Sequence, residues 1–198
     1  MHGAMATDQL YLHIRVVLGI ILGLGITTLL RGIASIIEHP RRHSWSWIHM
    51  SWVAWALISI VTYWWWEFRL NEVTGWTFKS YLFVIAYCSL YFMVSTLLFP
   101  DDVSEYGGYE PYLIQRRAWF FGLIALITVL DIIDTSLKGT ARWQALGIAY
   151  PIHAAAMLGI AGLGAAIAGR RAQLAIAIGA LAYQIVYFTL QYFTVTTA

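Results

Sequence analysis

Apolar runs recur along this chain about every thirty residues and are parted by short polar pieces, a rhythm that predicts long helices rather than strands. Six such runs stand at about 10–37, 47–68, 76–99, 118–137, 143–168 and 172–193. Each reaches the length of about 20 residues that a helix needs to cross the hydrocarbon of a bilayer. A β-barrel would alternate polar and apolar positions in strands of roughly ten residues, whereas these runs are continuous and about twice as long. The expected fold is an all-α integral membrane protein, a single transmembrane domain over 1–198 with six transmembrane helices. The first run exceeds the roughly 7–15 residue apolar core of a signal peptide, so it is expected to remain as a span.

Aromatic residues mark the ends of the second run. Trp45 and Trp47 stand at one end and Trp64, Trp65 and Trp66 at the other; the rise from Trp47 to Trp66 is about 28 Å, close to the thickness between two interfacial belts. Small residues at helical spacing, Gly19 with Gly23 and the stretch "AAAMLGIAGLGAAIAG", are expected to form packing seams between helices.

The two halves also resemble each other in order. "ITTLL" at Ile26 matches "ITVLD" at Ile127, Ile48-His49 matches Ile152-His153, and "AYCSLYF" at Ala86 matches "AYQIVYF" at Ala182. These matches lay helices one to three over four to six, with repeat units 1–100 and 110–198. Three spans per unit would invert the second copy, giving a 3+3 inverted-repeat bundle, a plan common among transporters and channels.

Polar chemistry inside the spans narrows the choice of function. Asp131 and Asp134 fall about 20 Å and about 25 Å along a helix anchored at Arg116 and Arg117, three residues apart and so on one face. A carboxylate at that depth costs several kcal/mol unless it is protonated, hydrated or paired. Let side A be the side that holds the N-terminus. Arg31 then lies toward side B, and the basic residues on side A are Arg15, Arg69, Lys79, Lys138 and Arg142, with Glu67 a competing acid. Arg15 and Lys79 open apolar runs and are the favoured partners. Two uses are open to the pair: fixing helix packing, or handling a proton or ion.

His153 lies ten residues beyond Trp143, about 15 Å into its run, just after Pro151, which weakens a helix ladder. It is expected near mid-membrane, as a proton relay or as a hydrogen-bonding core residue. Tyr87 and Tyr91 on the third helix and Tyr183 and Tyr187 on the sixth are i, i+4 pairs that could line a polar pathway or fill the core.

Composition agrees with a membrane protein and removes other classes. The chain is 60% hydrophobic and only 11% charged, against roughly one quarter charged in soluble domains. Its one cysteine, Cys88, excludes an internal disulfide and paired-cysteine metal sites. A net charge of +2 implies no nucleic-acid partner. No HExxH, GxSxG or P-loop pattern occurs, so no catalytic residue, cofactor or metal is expected. Arg31, Arg41, Arg42, Arg116, Arg117, Arg170 and Arg171 gather on side B, which places that side in the cytoplasm and both termini outside. The expected location is the cell membrane, multi-pass, and the inner membrane in a Gram-negative source. The acidic loop "PDDVSEYGGYEP" is expected to be a solvated connector or a docking surface.

These features favour a small transporter or channel for a proton, an ion or a small solute, with the lipid bilayer as its partner. An accessory or scaffold subunit of a larger membrane complex, or a homo-oligomer, is the competing expectation. A lipid- or quinone-directed enzyme is a third, without a catalytic constellation to support it.

Overall fold

The computed structural model describes residues 2–41, 44–67 and 77–195, and every regular element within them is helical. The α-helices are α1 (His2–Glu38), α2 (Trp47–Glu67), α3 (Phe78–Leu98), α4 (Tyr109–Gln115), α5 (Arg117–Leu137), α6 (Thr140–Leu146), α7 (Ala149–Ala166) and α8 (Arg170–Val195), with a 3-10 turn at Ser104–Tyr106. Arg42 and Arg69, used above to orient the chain, lie outside the described residues, as does Trp76 at the start of the third run.

Among the described residues five helices are long and apolar enough to cross a membrane: Leu12–Glu38, Phe78–Leu98, Arg117–Leu137, Ala149–Ala166 and Arg170–Gln191. Six were expected. The odd one is α2, which has the length, 21 residues, but whose six tryptophans, Ser, Thr and Tyr hydroxyls and Glu67 make it less apolar. It is instead strongly enclosed, with 12 of its 21 residues buried.

The run expected at 143–168 is divided. Gly147, at φ 59, turns the chain between α6 and α7, a backbone conformation that residues with a Cβ rarely adopt. Pro151 consequently sits in the first turn of α7, where its missing N–H leaves no ladder bond unmade. It does not open a helix interior, and His153 lies about 6 Å along α7.

Packing follows a ring. α2 packs on α3, α3 on α5, α5 on α7, α7 on α8 and α8 again on α2, while α1 lies outside the ring against α3 and α2. The 3+3 inverted repeat predicts that α5, α7 and α8 reproduce the mutual packing of α1, α2 and α3. They do not: α1 lies chiefly on α3, whereas its proposed counterpart α5 lies chiefly on α7.

Close approaches occur at particular glycines. A Cβ on Gly164 would fall 2.2 Å from the Phe121 ring, which lets α7 lie directly on α5. A Cβ on Gly32 would meet Phe99 at 2.3 Å, docking α1 on the end of α3. The GxxxG pair is only half a seam, since Gly19 faces Trp64 at 2.8 Å but Gly23 has nothing within 4 Å. Large apolar side chains recur on the outer face of α1, among them Val16, Ile20 and Leu24, each more than half exposed. Such faces suit lipid contact, where burial in water-excluding tails replaces burial in a core.

The ring has two different ends. End A is where α2, α5 and α8 finish and α7 begins; end B is the other. At end B most of the loop after α3 is exposed, with Val103 and Tyr109 its buried residues. It folds back as α4, burying Tyr109, Tyr112 and Leu113. His49 of α2 stacks on Tyr109 with ring centroids 4.8 Å apart and donates from Nε2 to the Leu98 carbonyl at 2.7 Å. Glu110 accepts hydrogen bonds from Ser46 Oγ at 2.5 Å and from Arg170 Nε, tying α4 to the start of α2 and of α8. Arg117 donates to the Ala165 carbonyl at 3.1 Å, and Gln173 to the carbonyls of Gly164 and Ile167, so the C-terminal end of α7 is closed by side chains. Partial burial alone would push the Glu110 carboxyl up, but the hydrogen bonds from Arg170 and Ser46 outweigh it and hold the group below its ordinary value.

Candidate functional site

Each helix of the ring turns a stripe of polar or aromatic side chains inward at three- and four-residue spacing. From α2 come Trp55, Ser59, Tyr63 and Glu67; from α3, Tyr87 and Tyr91; from α5, Thr128, Asp131, Thr135 and Lys138. From α7 come Tyr150, His153 and Met157, and from α8 Gln184, Tyr187 and Phe188. They enclose a cavity of about 100 Å³ in the end-A half of the ring. That volume equals a few waters' share of the liquid, about 30 Å³ each. Arg142 and Leu146 of α6 and Trp66 complete its rim, with the Arg142 guanidinium 4.4 Å from the Trp66 ring centre.

Beyond the cavity lining, toward end B, the ring interior is filled by buried aromatic side chains that form its floor. Trp52, fully buried, reaches from α2 to α5 and packs edge-on against Phe120 at 5.1 Å and Phe121 at 5.3 Å. Below these lie His49, Phe99 and Tyr109 at end B.

The two aspartates have different surroundings. Asp134 is buried and pairs with Lys138 at 2.6 Å, and the same ammonium reaches Glu67 of α2 at 3.2 Å. A cation shared between two helices keeps both carboxylates from being buried uncompensated. Asp131 is half-buried in the cavity wall and accepts hydrogen bonds from Tyr150 at 2.8 Å and Tyr87 at 3.2 Å. Among the described residues it has no ion pair.

His153 stacks on Tyr187 at 3.9 Å between ring centroids, and its Nδ1 lies 3.2 Å from the Tyr183 hydroxyl. Tyr63 packs against both Tyr87 and Tyr91, at 4.8 and 4.7 Å. Gln184 donates to Ser59 Oγ at 2.9 Å, closing the α8–α2 side of the ring.

The structure thus brings Asp131, Asp134, His153 and Tyr87 to one cavity, with Tyr183 just behind it on His153. The favoured cation partners are displaced. Lys79 is exposed at the start of α3, and Arg15 lies on the outer side of α2 with Leu18, Leu22, Trp64 and Glu67. Lys138 takes the place expected of them because it caps α5 four residues after Asp134, on the face that meets the end of α2. Sequence reasoning missed Tyr63, Tyr150 and Trp55 as site residues, and named Lys138 among the side-A cations without favouring it. The signal for the first and third was present in α2, where Trp55, Ser59, Tyr63 and Glu67 repeat every fourth residue.

Among the described residues no group of three or more His, Cys, Asp or Glu side chains is placed to hold a metal ion. No protein-family model, curated protein or solved structure matches the chain.

Proposed function

We propose that this chain is a multi-pass protein of the cell membrane, with α2 as a sixth span, that moves a proton, an ion or a small solute by way of the cavity inside the α2–α3–α5–α7–α8 ring. The observation that carries the reading is the pairing of an acid-bearing cavity at one end with an aromatic floor at the other. A polar site held inside a bundle and shut from one side has the form that alternating access requires. Ionisable residues kept within apolar helices are costly, and their usual justification is a pathway. Asp131 is the proposed transport carboxylate, its two tyrosines its hydrogen-bonding relay, and Lys138 with Glu67 and Asp134 the ionic latch beside it.

Liposomes holding the purified protein and a pH-sensitive dye, given an imposed gradient, test this reading. Wild type is expected to dissipate the gradient, Asp131→Asn to lose at least about tenfold in rate, and His153→Ala to lose less. Unchanged flux in a folded Asp131→Asn variant removes the site. Absence of flux in wild type, with partner chains co-purifying, would instead favour an accessory subunit whose exposed apolar helix faces hold a larger complex.

A further inference from the structure

The wall of the cavity combines carboxylates with aromatic side chains. Three carboxylates, Glu67, Asp131 and Asp134, face the space against two cations, Lys138 and Arg142. Lys138 is committed to Asp134 and Glu67. The remaining carboxylate, Asp131, is held by neutral tyrosine hydroxyls alone and is turned to the cavity.

The rest of the lining is aromatic. Tyr87, Tyr150, Tyr187, Phe188 and Trp66 present π surfaces around a volume too small for a large ligand. One of those surfaces already holds a cation, since the Arg142 guanidinium sits over Trp66. A carboxylate without a counter-ion inside an aromatic enclosure is the chemistry that recognises organic ammonium groups. An inorganic ion would need several oxygen ligands converging on one point, and the acids here are already divided between Lys138 and the tyrosines.

We infer that the cavity binds a small organic ammonium ion, an alkylamine of a few carbons, with its charge on Asp131 and its carbons against the Tyr150 and Tyr187 rings. This rests on reading the cavity as the transport site. It fails separately from that reading: amine binding without flux overturns only transport, and proton flux without amine binding overturns only this assignment.

The test is a fluorescence titration of the purified full chain in nanodiscs, which uses the wall tryptophans Trp55 and Trp66 as reporters. The probes are n-butylammonium chloride, its uncharged counterpart 1-butanol, and sodium chloride. Saturable quenching is expected from butylammonium and from neither of the others. Asp131→Asn is expected to weaken it at least about tenfold and Tyr187→Leu about threefold or more, both with unchanged melting temperature. An equal response to 1-butanol or to sodium overturns the assignment, as does undiminished affinity in Asp131→Asn. If that variant does not fold, Tyr187→Leu carries the test, and undiminished affinity there overturns it.

Discussion

Lys138 holds two helices together with one ammonium, 2.6 Å from Asp134 of α5 and 3.2 Å from Glu67 of α2, and its side chain is only 11% exposed. Replacing it with Met keeps the stem and leaves two buried carboxylates uncompensated. Lys138→Met is expected to lower stability by about 3–5 kcal/mol, read as a fall in melting temperature in detergent. Adding Glu67→Gln in the same chain should recover part of that loss, because one of the stranded charges is removed; a double variant no more stable than the single would contradict the shared-cation account. That Asp131 and Asp134 share one face was legible from spacing alone. Their partners were not, because Lys138 and Glu67 stand at the ends of their apolar runs and long side chains at such places ordinarily reach outward to the interface. Only the packing of α5 on its neighbours turns both inward.

At the scale of elements, the inward stripes were partly readable. Tyr87 with Tyr91, and Tyr183 with Tyr187, stood out as i, i+4 pairs, and three of the four reach the cavity. The break at Gly147 was not readable, because an isolated glycine in an apolar run carries no mark of the backbone sign it adopts. The seams were also only half legible: "GLGAAIAG" offers several glycines, and the neighbour decides which one matters. Gly164→Ala is expected to destabilise by about 1–3 kcal/mol because its Cβ would meet Phe121, whereas Gly162→Ala, with nothing within 4 Å, should leave the melting temperature unchanged. Equal effects at the two positions would contradict the α5–α7 contact. The α4 clamp makes a further prediction. Glu110 has its carboxyl held below the ordinary value in the fold, so its contribution is present above that value and is lost as pH falls through the lowered one. Melting followed between about pH 6 and 3 should show wild type losing stability that Glu110→Gln has already lost, so the two curves converge at the acid end. Parallel curves would show that the clamp does not titrate.

For the molecule as a whole, the apolar rhythm correctly announced an all-helical chain with several helices able to cross a membrane. Only five of the six expected helices are plainly apolar enough, because α2, read from its tryptophan belts, interleaves Trp, Ser, Thr and Tyr with its aliphatic residues. Its tryptophans serve two purposes that sequence does not distinguish: Trp52 floors the cavity and Trp55 lines it, while Trp47 and Trp65 face outward. Internal resemblance between the halves did not translate into matching packing, since short aromatic and aliphatic matches recur wherever apolar helices are built from few residue types. Ring closure, cavity and floor are long-range properties that arise from which helices meet, and the chain order alone leaves that open. The central claim is that charge crosses this ring by way of Asp131. Proteoliposomes on a solid-supported electrode, exposed to a sudden jump in proton or n-butylammonium concentration, measure it directly: wild type should give a transient current that folded Asp131→Asn lacks. No current from folded wild type with either jump, or an undiminished one from Asp131→Asn, would contradict the account.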